Sequence, residues 1–149
     1  MKVNVTISDI THDDLVNLLS TATYGSEYLT CKVPKGSYRG TELEDENDCA
    51  EDMLAKVLLS GKPIFVYDYY SEEEAYGTLP HEWREDKGAM RYTLTLEDIK
   101  KGLERAMSSD KREVPHDEAV KLMTDSDDFD FCDADFLMQY IVFGSAIYG

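Results

Sequence analysis

Asp125, Asp127, Asp128 and Asp130 stand close enough in the chain to gather a hard cation, because calcium takes several carboxylate and carbonyl oxygens at once. A helix-loop-helix calcium loop needs glycine at its sixth position and a bidentate glutamate at its twelfth. Counted from Asp125, those places hold Asp130 and Phe136, so the loop does not fit. The histidines, His12, His81 and His116, lie on three separate segments without HExxH spacing, and Cys31, Cys49 and Cys132 form no CxxC pair. Neither set reads as a zinc site. Nucleophilic catalysis has no better footing. Cys31 and His81 are paired by nothing in the sequence, and no GxSxG elbow or glycine-rich phosphate loop is present. A carboxylate pair for glycoside hydrolysis can always be picked from 31 acids, so finding one carries no information. The expectation is a non-enzymatic protein with no cofactor and no bound metal.

The acids are better read as a surface. Asp and Glu number 31 against 15 Lys and Arg, giving a net charge of -16 and a pI near 4.4. They gather from Glu42 to Asp52, with Glu44, Asp45, Glu46 and Asp48 among them, at Glu72, Glu73 and Glu74, and from Asp125 to Asp135, including Asp127, Asp128 and Asp130, all in loops or at helix starts. Carboxylates in a first helical turn stabilise the helix through its macrodipole, which accounts for part of this acidity. Spaced along a surface, they also imitate the negative track of a nucleic-acid backbone and steer the protein into the groove of a basic DNA- or RNA-binding partner. Tyr28, Tyr38, Tyr69, Tyr70, Tyr76 and Trp83 are interleaved with them as candidate aromatic anchors. Direct nucleic-acid binding is not expected, for want of a basic patch. The partner-binding set is therefore expected to comprise the acids of the three clusters together with Tyr70 and Trp83.

Two other readings stay open. Lys32, Lys35 and Arg39, near Tyr38, make the one locally basic segment, able to cradle a phosphate and stack a base as a sponge for a nucleotide signal would. Ala146, Ile147 and Tyr148 offer an apolar end that packs against a second copy in a homo-oligomer or assembly module.

Composition sets the frame that must hold these residues. A chain of 149 residues with 42% hydrophobic side chains, 10 Tyr, 5 Phe and 1 Trp has ample material for a core, and one domain over residues 1–149 is expected. The odd cysteine count, the lack of an apolar leader after Met1 and the lack of a long apolar run point to a reduced, cytoplasmic protein away from membranes.

Alternation of apolar and polar residues predicts strands over residues 2–8, 64–70 and 90–96. The run Ile64-Phe-Val-Tyr-Asp-Tyr-Tyr70 is apolar on both faces, so it belongs at the sheet centre, antiparallel to residues 91–96. Helical spacing predicts helices from Asp9 or Thr11 to Tyr24, over residues 48–60 with Asn47 or Asp48 as cap, over residues 96–107 behind Thr95, and a short one at residues 118–123 behind Pro115. The last begins at Asp133 and ends at Gly144, with Ala134, Leu137, Met138, Ile141 and Val142 on a stripe that Phe136, Tyr140 and Phe143 widen. Such a helix has to be covered on most sides. Cys132, just ahead of it, reads as a small buried hydrophobe. Residues 26–45 and 71–89 are left as long connections. The fold class is α+β: a small, mainly antiparallel sheet of about three strands with about five helices packed around a buried C-terminal helix.

The segment Tyr92-Thr-Leu-Thr-Leu-Glu-Asp-Ile-Lys-Lys-Gly-Leu-Glu104, the end Asp133-Ala-Asp-Phe-Leu-Met-Gln-Tyr-Ile-Val-Phe-Gly-Ser-Ala-Ile-Tyr-Gly149 and the opening Lys2-Val-Asn-Val-Thr-Ile-Ser-Asp-Ile10 resemble small acidic proteins encoded by phages and mobile elements of gut bacteria. The resemblance touches both ends of the chain and brings no catalytic residue with it. It implies a setting in which small acidic proteins are often inhibitors of host defence, such as anti-CRISPR or anti-restriction proteins.

Overall fold

The computed structural model describes residues 7, 9–24, 28–108, 114–124 and 129–148. Its elements, in order, are α1 (His12–Tyr24), β1 (Leu29–Lys32), α2 (Ala50–Leu59), β2 (Ile64–Asp68), β3 (His81–Arg84), β4 (Ala89–Leu94), α3 (Leu96–Met107), α4 (Val114–Thr124) and α5 (Phe131–Phe143). The fold is α+β, with five helices and a four-stranded antiparallel sheet in the order β1-β2-β4-β3.

β2 is an inner strand, as its two-sided apolar pattern requires, and it pairs antiparallel with the other inner strand, β4, from Ile64 opposite Leu94 to Asp68 opposite Met90. The two edge strands lie in the segments expected to be irregular. Each is four residues long, Leu-Thr-Cys-Lys in β1 and His-Glu-Trp-Arg in β3, too short for periodicity to mark. Pairing with β2 and β4 makes them strands. The strand expected over residues 2–8 falls almost wholly outside the described residues; Ile7 is described, and its amide donates to the Glu104 carboxylate at 3.2 Å.

Alternation sends Leu29, Cys31, Ile64, Val66, Tyr92 and Leu94 to one face of the sheet, where the helices bury them. The opposite face carries Phe65 and Arg91, with the guanidinium 4.1 Å from the ring centroid. Against the buried layer, α5 packs on α1, α3 and α4, and every residue from Leu137 to Phe143 except Tyr140 is buried. Gly102 is where α3 comes closest: a Cβ there would stand 2.8 Å from Ile141 Cγ1.

Cap chemistry explains most helix limits. Thr95 accepts from the Asp98 amide while Asp98 Oδ2 accepts from the Thr95 amide, a reciprocal box at the start of α3. α5 has the same box, one turn earlier than expected: Asp130 is the cap and Asp133 its reciprocal partner. Gly144 closes the helix at φ 82°, in the left-handed region that glycine enters without strain. Cys49, not Asn47 or Asp48, precedes α2, and Asp52 Oδ2 takes its amide at 3.1 Å. α4 is longer than the short helix expected, running from Val114 to Thr124 with Pro115 in its first turn. Among the described residues no helix is long and apolar enough to cross a membrane.

Candidate functional site: an aromatic and acidic corner

The second acidic cluster stands apart from the first and from the described part of the third. Residues 42–46 follow the Lys32 end of β1, beside Phe65 near the start of β2, whereas residues 72–74 follow Asp68 at the far end of that strand. Asp130 starts α5, and the carbonyls of Val142 and Phe143 at its other end lie against Gly77. Asp127 and Asp128 lie outside the described residues. Among the described residues, the Glu72–Glu74 cluster therefore does not continue into residues 42–46 or Asp130.

In the first cluster, much of the acid serves the fold. Lys56 Nζ donates to Asp48 Oδ2 at 2.6 Å, and the Tyr38 hydroxyl donates to the same oxygen at 2.7 Å while accepting the Asp45 amide at 2.8 Å. The Lys56 contact, then the Tyr38 bond, holds the Asp48 carboxyl below its usual range; the same ion pair raises Lys56. Asp48 is thus engaged by Lys56 and Tyr38 within the fold. Glu44 accepts the Gly40 amide and Asp45 accepts the Asn47 amide, both from exposed positions, and Glu42 and Glu46 are exposed too. Asp130 is exposed and occupied as a cap.

The second cluster is different. Asp68 ends β2 with none of its surface exposed. Its Oδ1 accepts the amides of Tyr70 at 2.9 Å and Ser71 at 3.1 Å, folding the chain into a tight turn, and its Oδ2 accepts the Tyr148 hydroxyl at 2.8 Å. Burial outweighs these donors and raises the Asp68 carboxyl; it also pushes the Tyr148 phenol up, with the Asp68 hydrogen bond adding to the shift. Tyr148 stacks on Tyr28 at 5.3 Å between centroids, and Tyr70 leans on both, 5.6 Å from Tyr28 and 6.0 Å from Tyr148. Beyond the turn, the Ser71 hydroxyl bonds to the Glu74 backbone on both its amide and its carbonyl side, and Glu73 sits at φ 62°, a conformation few non-glycine residues hold.

Tyr69 and Tyr70 emerge from this brace 44% and 57% exposed, among the most exposed large apolar side chains described, and Glu72, Glu73 and Glu74 follow, all exposed. Burial raises the Tyr76 phenol, and the negative charges of Glu74, Asp68 and Glu72, with a hydrogen bond to Glu74, raise it further. The corner thus offers two rings and three carboxylates on a braced turn.

Other candidates change standing. Tyr38 is 2% exposed and cannot stack a base, so the basic segment of Lys32, Lys35 and Arg39, all exposed, lacks the ring expected beside it. Trp83 is half-buried and faces the core beside Met90, which makes it a poor anchor. Tyr148 is engaged inside its own chain, not held ready for a second copy; Ile147 beside it is 39% exposed. Cys132 is exposed in the first turn of α5, contrary to its expected burial, because the cap begins at Asp130 and turns position 132 outward. Burial does apply to Cys31, whose thiol is pushed up to about 12 and is inert. His12 meets Asp52 at 2.8 Å, and among the described residues no three His, Cys, Asp or Glu side chains are grouped to hold a metal.

Asp68, and its pairing with Tyr148, is what the sequence did not disclose. Asp68 carried a signal: an acid inside the run Ile-Phe-Val-Tyr-Asp-Tyr-Tyr must be either exposed or bonded. Comparison of the chain with protein-family models, with curated proteins and with solved structures finds no match.

Proposed function

We propose that the chain is a non-enzymatic inhibitor that docks on a basic DNA- or RNA-binding protein, such as a CRISPR or restriction nuclease, and blocks its nucleic-acid groove in the cytoplasm of a bacterial host. The observation that carries the reading is the corner itself: Tyr70 exposed on a braced turn, Tyr69 exposed beside it in the chain and stacked on Tyr67, and the exposed acids Glu72, Glu73 and Glu74 next in sequence. Exposed aromatics supply the desolvated anchors that make an encounter tight, and exposed carboxylates supply the long-range attraction. Glu42, Glu44 and Glu46 form a separate exposed acidic ridge that adds to the steering. The resemblance to small acidic phage and mobile-element proteins gives the setting in which such blocking is useful. The nucleotide sponge is the weaker reading, since the ring beside its cations is buried.

Affinity capture from a bacterial lysate tests this, with washes at low and high salt and three variants: Glu72, Glu73 and Glu74 reversed to Lys; Glu42, Glu44 and Glu46 reversed to Lys; and Tyr70→Ala. A nucleic-acid-binding protein is expected on the wild type, released at high salt. It is expected to be lost from the first variant and from Tyr70→Ala, and weakened on the second. Retention by both charge-reversed variants rules the acidic surface out, and recovery of a nucleotide without a protein moves the function to the basic segment.

A further inference from the structure

The chain turns back after α5 and returns to the sheet along a prepared path. Gln139, in the middle of α5, has none of its surface exposed, yet its amide is fully used. Its Oε1 accepts the amides of Ile147 at 2.9 Å and Tyr148 at 2.8 Å, and its Nε2 donates to the Tyr148 carbonyl at 3.1 Å and to Asp135 Oδ2 at 3.2 Å. A side-chain amide presents a donor and an acceptor like a strand edge, so residues 147–148 are held as a neighbouring strand would hold them. The reversal begins at Gly144 in the left-handed region, and Gly77 packs against the carbonyls of Val142 and Phe143 so closely that a Cβ would stand 2.8 Å from the first.

At the end of this path the Tyr148 hydroxyl reaches Asp68, which also holds the Tyr70 and Ser71 amides. One buried carboxylate thereby ties the returning tail to the turn that presents Tyr70 and the glutamates. With Tyr148 gone, Asp68 would be left buried with its Oδ2 unpaired, and Tyr70 would lose one of the two rings it leans on.

We infer that residues 145–148 are a strap, and that Tyr148, acting through Asp68, is the positioning residue that holds residues 70–74 in the shape the partner meets. This rests on the corner being the docking surface for its functional meaning, but its structural half is tested without any partner. Preorganising a binding turn lowers the ordering cost of association, so the strap sets affinity without touching the partner.

Hydrogen exchange on the free full-length protein is the first measurement, on Tyr148→Phe, which keeps the ring and deletes the hydroxyl, and on Gln139→Leu, which frees the tail backbone. Amides 70 and 71 are expected to exchange about tenfold faster or more in both, the loss of one charge-assisted hydrogen bond, while amides paired between β2 and β4 keep their rates. Unchanged exchange at 70 and 71 overturns the strap, as does a uniform rise across the sheet, which would mark Tyr148 as an ordinary stability residue. Should Tyr148→Phe collapse, Gln139→Leu carries the same decision. Capture of the partner then separates the two claims. If reversing Glu72, Glu73 and Glu74 leaves capture intact while exchange at 70 and 71 rises, the docking reading fails and the strap stands. If reversal abolishes capture while exchange is unchanged, the strap fails and the docking reading stands.

Discussion

Glu118 sits on α4 with 3% of its surface exposed, and its Oε1 has no hydrogen-bond partner among the described residues. Burial, reinforced by Asp133 and only partly opposed by Lys121, pushes its carboxyl up to about 8 from an ordinary 4.5. The folded state therefore favours the protonated acid. Its contribution to stability is whole below about pH 4.5, declines as the pH climbs toward 8, and is lost above it. Glu118→Gln keeps the shape and removes the titration. The variant is expected to gain stability relative to the wild type from about pH 4.5 up to about 8 and then hold a constant lead, read from urea midpoints at matched salt. A lead that does not vary with pH would mean that Glu118 is solvated. Asp48 and Asp52 have the opposite sign: their lowered values give stability that is present at neutral pH and lost on acidification. Carboxylic acids thus shift stability in two opposite directions, and only their surroundings tell them apart.

Helices and strands differ in how far the sequence announces them. α3 has the bounds that its cap and stripe predict, and α5 ends at the glycine that predicts it, because cap chemistry is local. β1 and β3 are not announced, since a four-residue strand is decided by its neighbour. The corner is the extreme case: Asp68 and Tyr148 are 80 positions apart, and no window of sequence contains both. Between elements, the α3–α5 seam gives the sharpest conflict of local and tertiary demands. Alanine at position 102 would favour the helix by about 1 kcal/mol over glycine. Its Cβ, however, would meet Ile141 Cγ1 at 2.8 Å and Ile141 Cα at 3.2 Å, and backbone gives little. Overpacking of this kind costs about 1–3 kcal/mol, so Gly102→Ala is expected to destabilise on balance. Pairing it with Ile141→Ala in a double-mutant cycle should recover part of the loss, and strictly additive effects would show that the two helices do not meet there.

At the scale of the whole molecule, a net charge of -16 acts on folding and binding in opposite directions. Like charges crowd together on compaction, and among the described residues the closest ion pairs that offset them are Lys56–Asp48 at 2.6 Å and Arg91–Glu82 at 2.8 Å. Added salt screens repulsion among exposed carboxylates more than it weakens partly buried pairs, so thermal stability is expected to rise from about 0.01 to 0.5 M NaCl. The same reasoning applies to the corner. Reversing Glu72, Glu73 and Glu74 adds two charges at each, taking the net charge from -16 to -10. None of the three is in an ion pair among the described residues, so the reversed protein should be as stable as the wild type or more so at low salt, and the gain should shrink as salt is added. If these acids exist for docking, that same protein loses its partner. Stability gained while binding is lost is the pattern of charge kept for function against the interest of the fold. A reversed protein that is less stable at low salt would instead place these glutamates among the groups that hold the turn together, and the docking surface would have to be sought elsewhere.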